Sequence, residues 1–260
     1  ILVHRRPKAF LLENVKQLKG HDKGRTLKTL MDVLKGQSNI DKKELNKMQM
    51  SEEAKEALST QLNYWVDFKV LKANDFGVPQ KRERIYLIGF DKDQFPKGFD
   101  FEKHFKYPEP TGEETKVGNV LISNKKVDSK YTISDKMWAG HQNRKKMHKI
   151  KGNGFGYSLF DKNSEYTNTI SARYYKDGSE VLISQEKQNK NPRRLTPREC
   201  ARLQGFPEEF LIPVSDSQSY KQFGNSVSVP VIRAIAKEMV KTLKKGKQIT
   251  VKKSVKFLEN

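Results

Sequence analysis

A short apolar run over residues 9–12 ends at two polar side chains, Glu13 and Asn14. In open α/β sheets, ligands bind beyond the carboxyl ends of the strands, so these two side chains predict a ligand-binding site. A second polar group opens the apolar run of residues 85–90 and consists of Gln80, Arg82 and Arg84. These three residues would stand at the entrance of the strand that this run predicts, where Arg82 or Arg84 could form a structural ion pair with Glu13.

Residues 224–231 (GNSVSVPV) combine a glycine, short polar side chains and a proline. Gly224 permits a tight turn, Asn225 and Ser226 offer polar atoms, and Pro230 is suited to begin a helix. This segment therefore either presents polar groups to a ligand or forms a simple turn and helix cap.

The chain has one cysteine, Cys200. A single cysteine cannot form an internal disulfide, which fits a reducing cytoplasm. No base neighbours Cys200 in the sequence, so we predict a small buried thiol rather than a nucleophile. The five histidines show no ligand spacing with cysteine or with a pair of carboxylates, so we predict no metal site.

Hydrophobic periodicity predicts the elements that hold these residues. We expect a buried parallel strand at residues 9–12, a helix over 26–34, and strands at 65–73 and 84–90. At the entrance of the strand over residues 84–90, Arg82 and Arg84 would share a face because side chains alternate along a strand. Residues 38–61 are polar and helix-prone, which predicts an inserted surface helix or hairpin.

Helix signals are clear in the second half of the chain. Ser134 caps a predicted helix over residues 134–150. Thr196 and Glu199 form a capping box for a helix that runs from Pro197 towards Gly205, and Pro197 suits its first turn. A helix over residues 230–243 follows, and its apolar residues are expected to pack on the first domain. The proline-rich stretch after residue 92 marks a domain boundary.

The chain of 260 residues carries 51 Lys and Arg against 31 Asp and Glu, a net charge of +20. This surplus attracts polyanions, and nucleic acid is the leading partner. An acidic membrane surface is the rival, but no apolar run approaches the roughly 20 residues that cross a bilayer. Two glycine- and aromatic-containing segments stand near basic residues, GNGFGY at 152–157 and RYYKDG at 173–178. The second could also be an ordinary hairpin tip with Asp177 and Gly178 as its turn.

Four separate segments resemble the sixth, eighth, ninth and tenth conserved motifs of the DNA cytosine-5 methyltransferases, in the family's order. They are residues 13–15 (ENV), 80–84 (QKRER), 194–207 and 224–227 (GNSV). The stretch from GNGFGY through TISARYYKDGSEVLI is similar to the target-recognition region of bacterial members that act on CCGG or CCWGG sites. The chain thus resembles the carboxyl-terminal part of such an enzyme.

This resemblance implies an α/β fold, the C-terminal portion of a doubly wound, Rossmann-like methyltransferase domain with a smaller loop- and β-rich target-recognition domain. The implied division is residues 1–92 for the catalytic part, 93–222 for target recognition, and 223–260 for a returning helix and basic tail. The implied activity is sequence-specific transfer of a methyl group from S-adenosylmethionine to carbon 5 of a flipped cytosine, in a restriction-modification system or as an orphan enzyme.

The resemblance also assigns roles to individual residues. Glu13 would contact N3 and the 4-amino group of cytosine and Arg84 would hold O2, while Asn14 and Arg82 support the site. Asn225 and Ser226 would close one side of the cofactor pocket. The expected DNA contacts are Arg173, Tyr174, Tyr175, Lys176, Thr169, Lys149 and Lys151, with Arg173 suited to guanine.

Two family patterns do not occur in these 260 residues: the Gly-rich turn that binds S-adenosylmethionine and the Pro-Cys loop whose thiolate attacks the base. We therefore expect an amino-terminal catalytic half, supplied by the same protein or by a separate subunit. The expected partner is double-stranded DNA, with no membrane and no metal, in the bacterial cytoplasm in association with the nucleoid. The alternative is a non-catalytic DNA target-recognition subunit or fragment.

Overall fold

A computed structural model of the protein describes residues 1–37 and 46–258, with side chains up to residue 249. The chain forms two compact units. The first contains the described residues of Ile1–Leu71, Glu83–Pro108 and Ala234–Asn260, and the second contains Lys72–Arg82 and Glu109–Arg233. The functional boundaries that we predict after residues 92 and 222 remain predictions, because compactness does not assign a role.

The first unit is built on a three-stranded sheet. Its strands are β1 (Ala9–Val15), β2 (Tyr64–Lys72) and β3 (Glu83–Asp91), in the order β1-β3-β2. The strands predicted at residues 65–73 and 84–90 are confirmed. Strand β3 lies in the centre and is buried along most of its length, which explains why its sequence is a nearly continuous apolar run.

Strand β1 pairs with β3 in the antiparallel direction, so our prediction of a parallel strand at residues 9–12 is wrong. A short apolar run indicates burial on both faces but does not encode the direction of the neighbouring strand. The register places Phe10 opposite Gly89 and Glu13 opposite Tyr86. A side chain at position 89 would meet the ring of Phe10 at 2.1 Å, so the glycine leaves room for that ring.

Helices and aromatic side chains cover the two faces of this sheet. Among its described residues, the first unit includes the helices α1 (Leu2–Arg5), α2 (Arg25–Lys35), α3 (Glu52–Ser59) and α4 (Phe101–His104). Helix α2 confirms the prediction over residues 26–34 and buries Leu27, Met31 and Leu34 against the sheet. In the predicted insertion, residues 38–45 lie outside the described residues. On the other face, Phe90 packs on Trp65 and Phe101 with ring centres 6.1 and 5.7 Å away.

The second unit contains short strands and three helices of moderate length. They are α5 (Asp135–Ile150), β4 (Leu159–Phe160), β5 (Leu182–Ile183), β6 (Arg193–Arg194), α6 (Pro197–Leu203) and α7 (Asp216–Asn225). Strand β4 pairs with β5 in parallel, and β5 pairs with β6 in the antiparallel direction. The helix caps predicted at Ser134 and at Thr196 with Glu199 are both confirmed.

The last helix, α8 (Val229–Leu258), contains the helix predicted over residues 230–243. It begins in the second unit and continues in the first. Within the first unit, Ile235 is buried and the Thr242 hydroxyl donates a hydrogen bond to the His104 carbonyl at 3.0 Å. None of the helices in the described part of the chain is long and apolar enough to cross a membrane.

Gly224 has a different role from the tight turn that we predict. It lies inside helix α7, where its backbone is helical. A Cβ atom at this position would come within 2.2 Å of the Ser171 carbonyl oxygen. The absence of a side chain therefore permits a close approach of two backbone segments.

A buried ion pair joins β6 to helix α6. The Arg193 guanidinium donates two hydrogen bonds to the Glu199 carboxylate, both 2.8 Å long, and neither side chain is exposed to solvent. Glu199 also accepts bonds from the backbone N–H groups of Ile122 and Thr196. Since the pair is bidentate and its remaining atoms are hydrogen-bonded, its desolvation is offset by good geometry.

We expect Arg193→Met to lower the free energy of unfolding by about 3–5 kcal/mol, because the substitution leaves the Glu199 carboxylate buried without its cation. Urea unfolding followed by circular dichroism measures the change. Lys190→Met at an exposed position serves as the control and should stay within about 0.5 kcal/mol of the original protein. An Arg193→Met protein as stable as this control would show that the ion pair does not hold the second unit together.

Candidate functional site

The structure brings Glu13 and Arg84 together at one end of the first sheet. The Arg84 Nε atom lies 2.9 Å from Glu13 Oε1. In the antiparallel register Val15 is opposite Arg84 and Glu13 is opposite Tyr86, so Glu13 and Arg84 are diagonal neighbours on one face. The Arg84 side chain is 15% exposed and that of Glu13 is 26% exposed.

This ion pair is one of the two possibilities that the sequence leaves open for Glu13. It is also the geometry that the functional hypothesis requires, since a carboxyl group and a guanidinium converge on the same partly open position. Together they offer carboxylate acceptors beside the N–H donors of a guanidinium. A flat polar ligand with both donor and acceptor atoms along one edge matches this pattern.

Asn14 does not join this pair. Its cross-strand partner is Ile85, whereas Glu13 is opposite Tyr86, so Asn14 lies on the other face of β1. The side chain is exposed, and its Oδ1 accepts a hydrogen bond from the Val15 N–H at 2.7 Å. Any support that Asn14 gives to the Glu13–Arg84 site would therefore come from the opposite face of β1.

Arg82 lies before β3, so the alternation that we use to place it on the face of Arg84 does not apply to it. Its guanidinium is buried and donates hydrogen bonds to the backbone carbonyls of Ile170, Gly224 and Ser226, at 3.2, 3.1 and 2.6 Å. It thus ties three backbone positions of the second unit together.

Gln80 reinforces the same region. Its side-chain nitrogen donates to the Leu203 carbonyl, and its oxygen accepts from the Ile170 N–H, both at 3.0 Å. Gln80 is fully buried. Gln80 and Arg82 therefore connect and fix the segments around residues 170 and 224.

Asn225 and Ser226 end helix α7. The Ser226 hydroxyl donates to the Phe223 carbonyl at 2.8 Å, which is the local cap that the sequence offers as the alternative to ligand binding. Asn225 is exposed. The Ser226 hydroxyl can still accept a hydrogen bond, and the cofactor-wall role of the two residues stays a prediction.

Cys200 is fully buried in the core of the second unit. Burial raises the pKa of its thiol well above the ordinary value, and the nearby Glu199 charge raises this pKa further. A thiol held in its protonated form is a poor nucleophile. The prediction of a structural cysteine is confirmed.

The predicted DNA contacts divide by exposure. Arg173 and Lys176 are exposed, and so are Lys149 and Lys151. Tyr175 is partly buried, with the Lys221 ammonium 4.9 Å from its ring centre. Among the predicted contacts, the exposed cations are therefore free to meet a polyanion.

Thr169 and Tyr174 are held by the protein itself. The Thr169 hydroxyl donates to the Lys81 carbonyl at 2.7 Å. Tyr174 is fully buried, and its hydroxyl donates to Val181 O and accepts from the Leu195 N–H. Tyr174 is thus a core residue whose hydroxyl is used internally, and we withdraw it from the predicted DNA contacts.

The segment RYYKDG is not a hairpin tip. The strands before and after it, β4 and β5, pair in parallel, whereas a hairpin requires antiparallel strands. Residues 172–177 form consecutive turns. Asp177 accepts a hydrogen bond from the Ser179 N–H and pairs with Arg144 at 3.0 Å, which anchors the segment to helix α5.

Sequence reasoning did not assign a role to Ser171, whose carbonyl packs on Gly224. Gly224 was the sequence feature that could have indicated this contact, but we interpreted it as a turn residue. Nor do the described residues contain a cluster of three or more His, Cys, Asp or Glu side chains that could hold a metal ion.

Comparison with known proteins gives a family match over most of the chain. The model of the C-5 cytosine-specific DNA methylase family matches residues 1–37 and 42–241. The chain is 54% identical over 248 residues to the type II methyltransferase M1.ScrFI of Lactococcus lactis subsp. cremoris, covering 95% of this chain and 55% of the relative. It is 56% identical over 241 residues to M.DsaV of Dactylococcopsis salina, covering 92% and 59%. The chain thus spans little more than half the length of these relatives.

Solved structures show the same fold at lower identity. The S. pombe Dnmt2 methyltransferase is similar with a TM-score of 0.61 and 18% identity, over 92% of this chain and 68% of that one. A methyltransferase of Entamoeba histolytica, EhMeth, is similar with a TM-score of 0.57 and 21% identity, over 92% and 63%. These likenesses support the predicted fold class, a portion of a Rossmann-like methyltransferase.

We expect Cys200 to be inert towards iodoacetamide in the folded protein and to react readily in urea, because burial keeps the thiol protonated. Below about pH 8.5 the thiol is protonated in both states. As the pH rises further, the unfolded chain loses the proton first, so the stability contributed by the raised pKa of Cys200 decreases. Mass spectrometry of the alkylated protein measures the reaction, and rapid labelling of the native protein would contradict a buried structural thiol.

Proposed function

The chain belongs to the C-5 cytosine-specific DNA methylase family, and from this premise we propose that it is the carboxyl-terminal part of a sequence-specific DNA cytosine-5 methyltransferase. The observation that carries the proposal is the convergence of Glu13 and Arg84, 2.9 Å apart on one face of the sheet. We propose that this pair receives the target cytosine. The type II names of the relatives support a role in restriction-modification.

The chemistry of cytosine explains why such a pair is useful. Carbon 5 is a weak nucleophile, and addition of a thiolate at C6 activates it. That addition is favoured when electron density moving towards N3 and O2 is stabilised. Arg84 donates to O2, while Glu13 shares a proton with N3 and accepts from the 4-amino group. Each group then replaces its present ion-pair partner with an atom of the base.

S-adenosylmethionine, when bound, supplies the methyl group as an electrophile. Among the residues of this sequence, Asn225 and Ser226 would form one wall of its site. The Gly-rich turn and the Pro-Cys thiolate would come from an amino-terminal part, either in the same chain or in a partner subunit. The relatives support this, since each contains a further two-fifths or more of its length that the chain does not match.

The substrate is double-stranded DNA in this proposal. A base inside the duplex is out of reach, so the cytosine must be flipped out at a cost of a few kcal/mol. Phosphate contacts from exposed cations offset this cost, and Arg173, Lys176, Lys149 and Lys151 are available for them. We propose that Gln80 and Arg82 keep residues 169–171 in place while these contacts form. We also propose that the enzyme works on nucleoid DNA in the bacterial cytoplasm.

We expect Glu13→Gln to reduce methyl transfer by about 10²- to 10⁴-fold, because an amide can donate a hydrogen bond to N3 but cannot transfer a proton to it. The complete protein, including the amino-terminal part, is incubated with duplex DNA and S-adenosylmethionine carrying a labelled methyl group. Labelled 5-methylcytosine in the digested DNA is the readout.

Glu52→Gln, a change of the same kind at a surface ion pair, is the matched control and should be fully active. Full activity of Glu13→Gln would refute the role of Glu13. If the unaltered protein bound the DNA site and formed no 5-methylcytosine, the alternative of a non-catalytic target-recognition subunit would be correct.

A further inference from the structure

Residues 136–160 contain no acidic side chain. This stretch covers most of helix α5, the glycine-containing loop 152–157 and strand β4. Its cations are Lys136, Arg144, Lys145, Lys146, Lys149 and Lys151. We call the last two turns of α5 together with the loop, residues 144–157, the basic loop surface.

Apolar side chains are exposed on this surface. Phe155 is 71% exposed and Ile150 is 69% exposed. An isolated exposed apolar residue is ordinary, but an exposed phenylalanine among cations of one sign is the combination found where proteins meet both phosphates and bases. The ring of Phe155 has one aromatic neighbour among the described residues, the edge of His148 with ring centres 5.8 Å apart.

The loop that carries Phe155 is attached to helix α5 on both sides. Before Phe155, the N–H groups of Gly152 and Asn153 donate to the carbonyls of Lys149 and His148, at 3.1 and 2.8 Å. After it, Tyr157 packs on Trp138 with ring centres 4.7 Å apart. The loop is therefore fixed at both ends.

Lys145 adds a second attachment after Phe155. Its ammonium lies 4.3 Å from the centre of the Tyr157 ring and donates to the Tyr157 carbonyl at 3.3 Å. A side chain at Gly156 would meet the Lys145 stem at 2.8 Å, so the glycine lets the loop lie against the helix. Tyr157 is thus turned towards the protein and Phe155 towards solvent.

We propose that Phe155 is a base-contacting residue, whose ring packs against the bases of the DNA site while Lys146, Lys149 and Lys151 contact the flanking phosphates. The proposal rests on the function proposed above. Positive charge supplies affinity without regard to sequence, whereas an apolar ring gains only from contact with bases or with a thymine methyl group. A pre-fixed loop loses little conformational entropy when the contact forms.

The test compares Phe155→Ala, Phe155→Leu and Lys149→Ala in the complete protein. Binding is measured over a range of salt concentrations. One duplex contains the site that the complete protein methylates, and the other has an unrelated sequence. We expect Phe155→Ala to weaken binding to the specific duplex about tenfold or more, the scale of burying an apolar ring against base edges, with the salt dependence unchanged. Phe155→Leu should recover part of this loss. Lys149→Ala should weaken binding to both duplexes and lower the salt slope by about 1.

Phe155 is exposed, so its replacement should leave the thermal unfolding temperature unchanged, and this measurement separates loss of contact from loss of fold. Phe155→Ala binding as tightly as the original protein would overturn the proposal. Equal weakening on both duplexes with a lower salt slope would also overturn it, because Phe155 would then act only by arranging the lysines. Failure of the proposed function would look different, since the unaltered protein itself would not methylate DNA.

Discussion

The antiparallel pairing of β1 with β3 is the constraint on which the candidate active site depends. Glu13 and Arg84 are 71 positions apart in the sequence, and the register alone makes them diagonal neighbours on one face. Phe10 lying over Gly89 in the same pair of strands favours this register. A slip by one residue would turn the carboxyl group away from the guanidinium, because side chains alternate between the faces of a sheet.

Three arginines illustrate how surroundings assign different roles to one side chain. Arg193 is fully buried with Glu199 and serves the fold. Arg82 donates hydrogen bonds to backbone carbonyls and so connects segments of the second unit. Arg84 stays partly open beside Glu13. Since the edge of a base would offer hydrogen-bond partners to both groups, exchanging the Glu13–Arg84 contact for that edge would leave neither charge unpaired.

The sequence predicted local structure more accurately than tertiary arrangement. The capping box at Thr196 and Glu199 is short-range chemistry and was confirmed. The direction of β1 depends on a distant strand, and an apolar run carries no information about it. Tyr174 stands between exposed Arg173 and partly buried Tyr175, so its burial depends on packing that the local pattern RYYKDG does not reveal. The closeness of Glu13 and Arg84 was expected from the family resemblance, with a structural ion pair as the less favoured alternative.

The most direct test of cytosine binding by Arg84 removes the O2 atom of the base and the guanidinium of the protein, separately and together. Arg84→Lys is combined with a duplex whose target cytosine lacks the O2 oxygen, and binding of the complete protein is measured for all four combinations. If Arg84 holds O2, the two changes should not be additive, with a coupling of about 0.5–3 kcal/mol. Strictly additive losses would contradict the claim that Glu13 and Arg84 receive the cytosine.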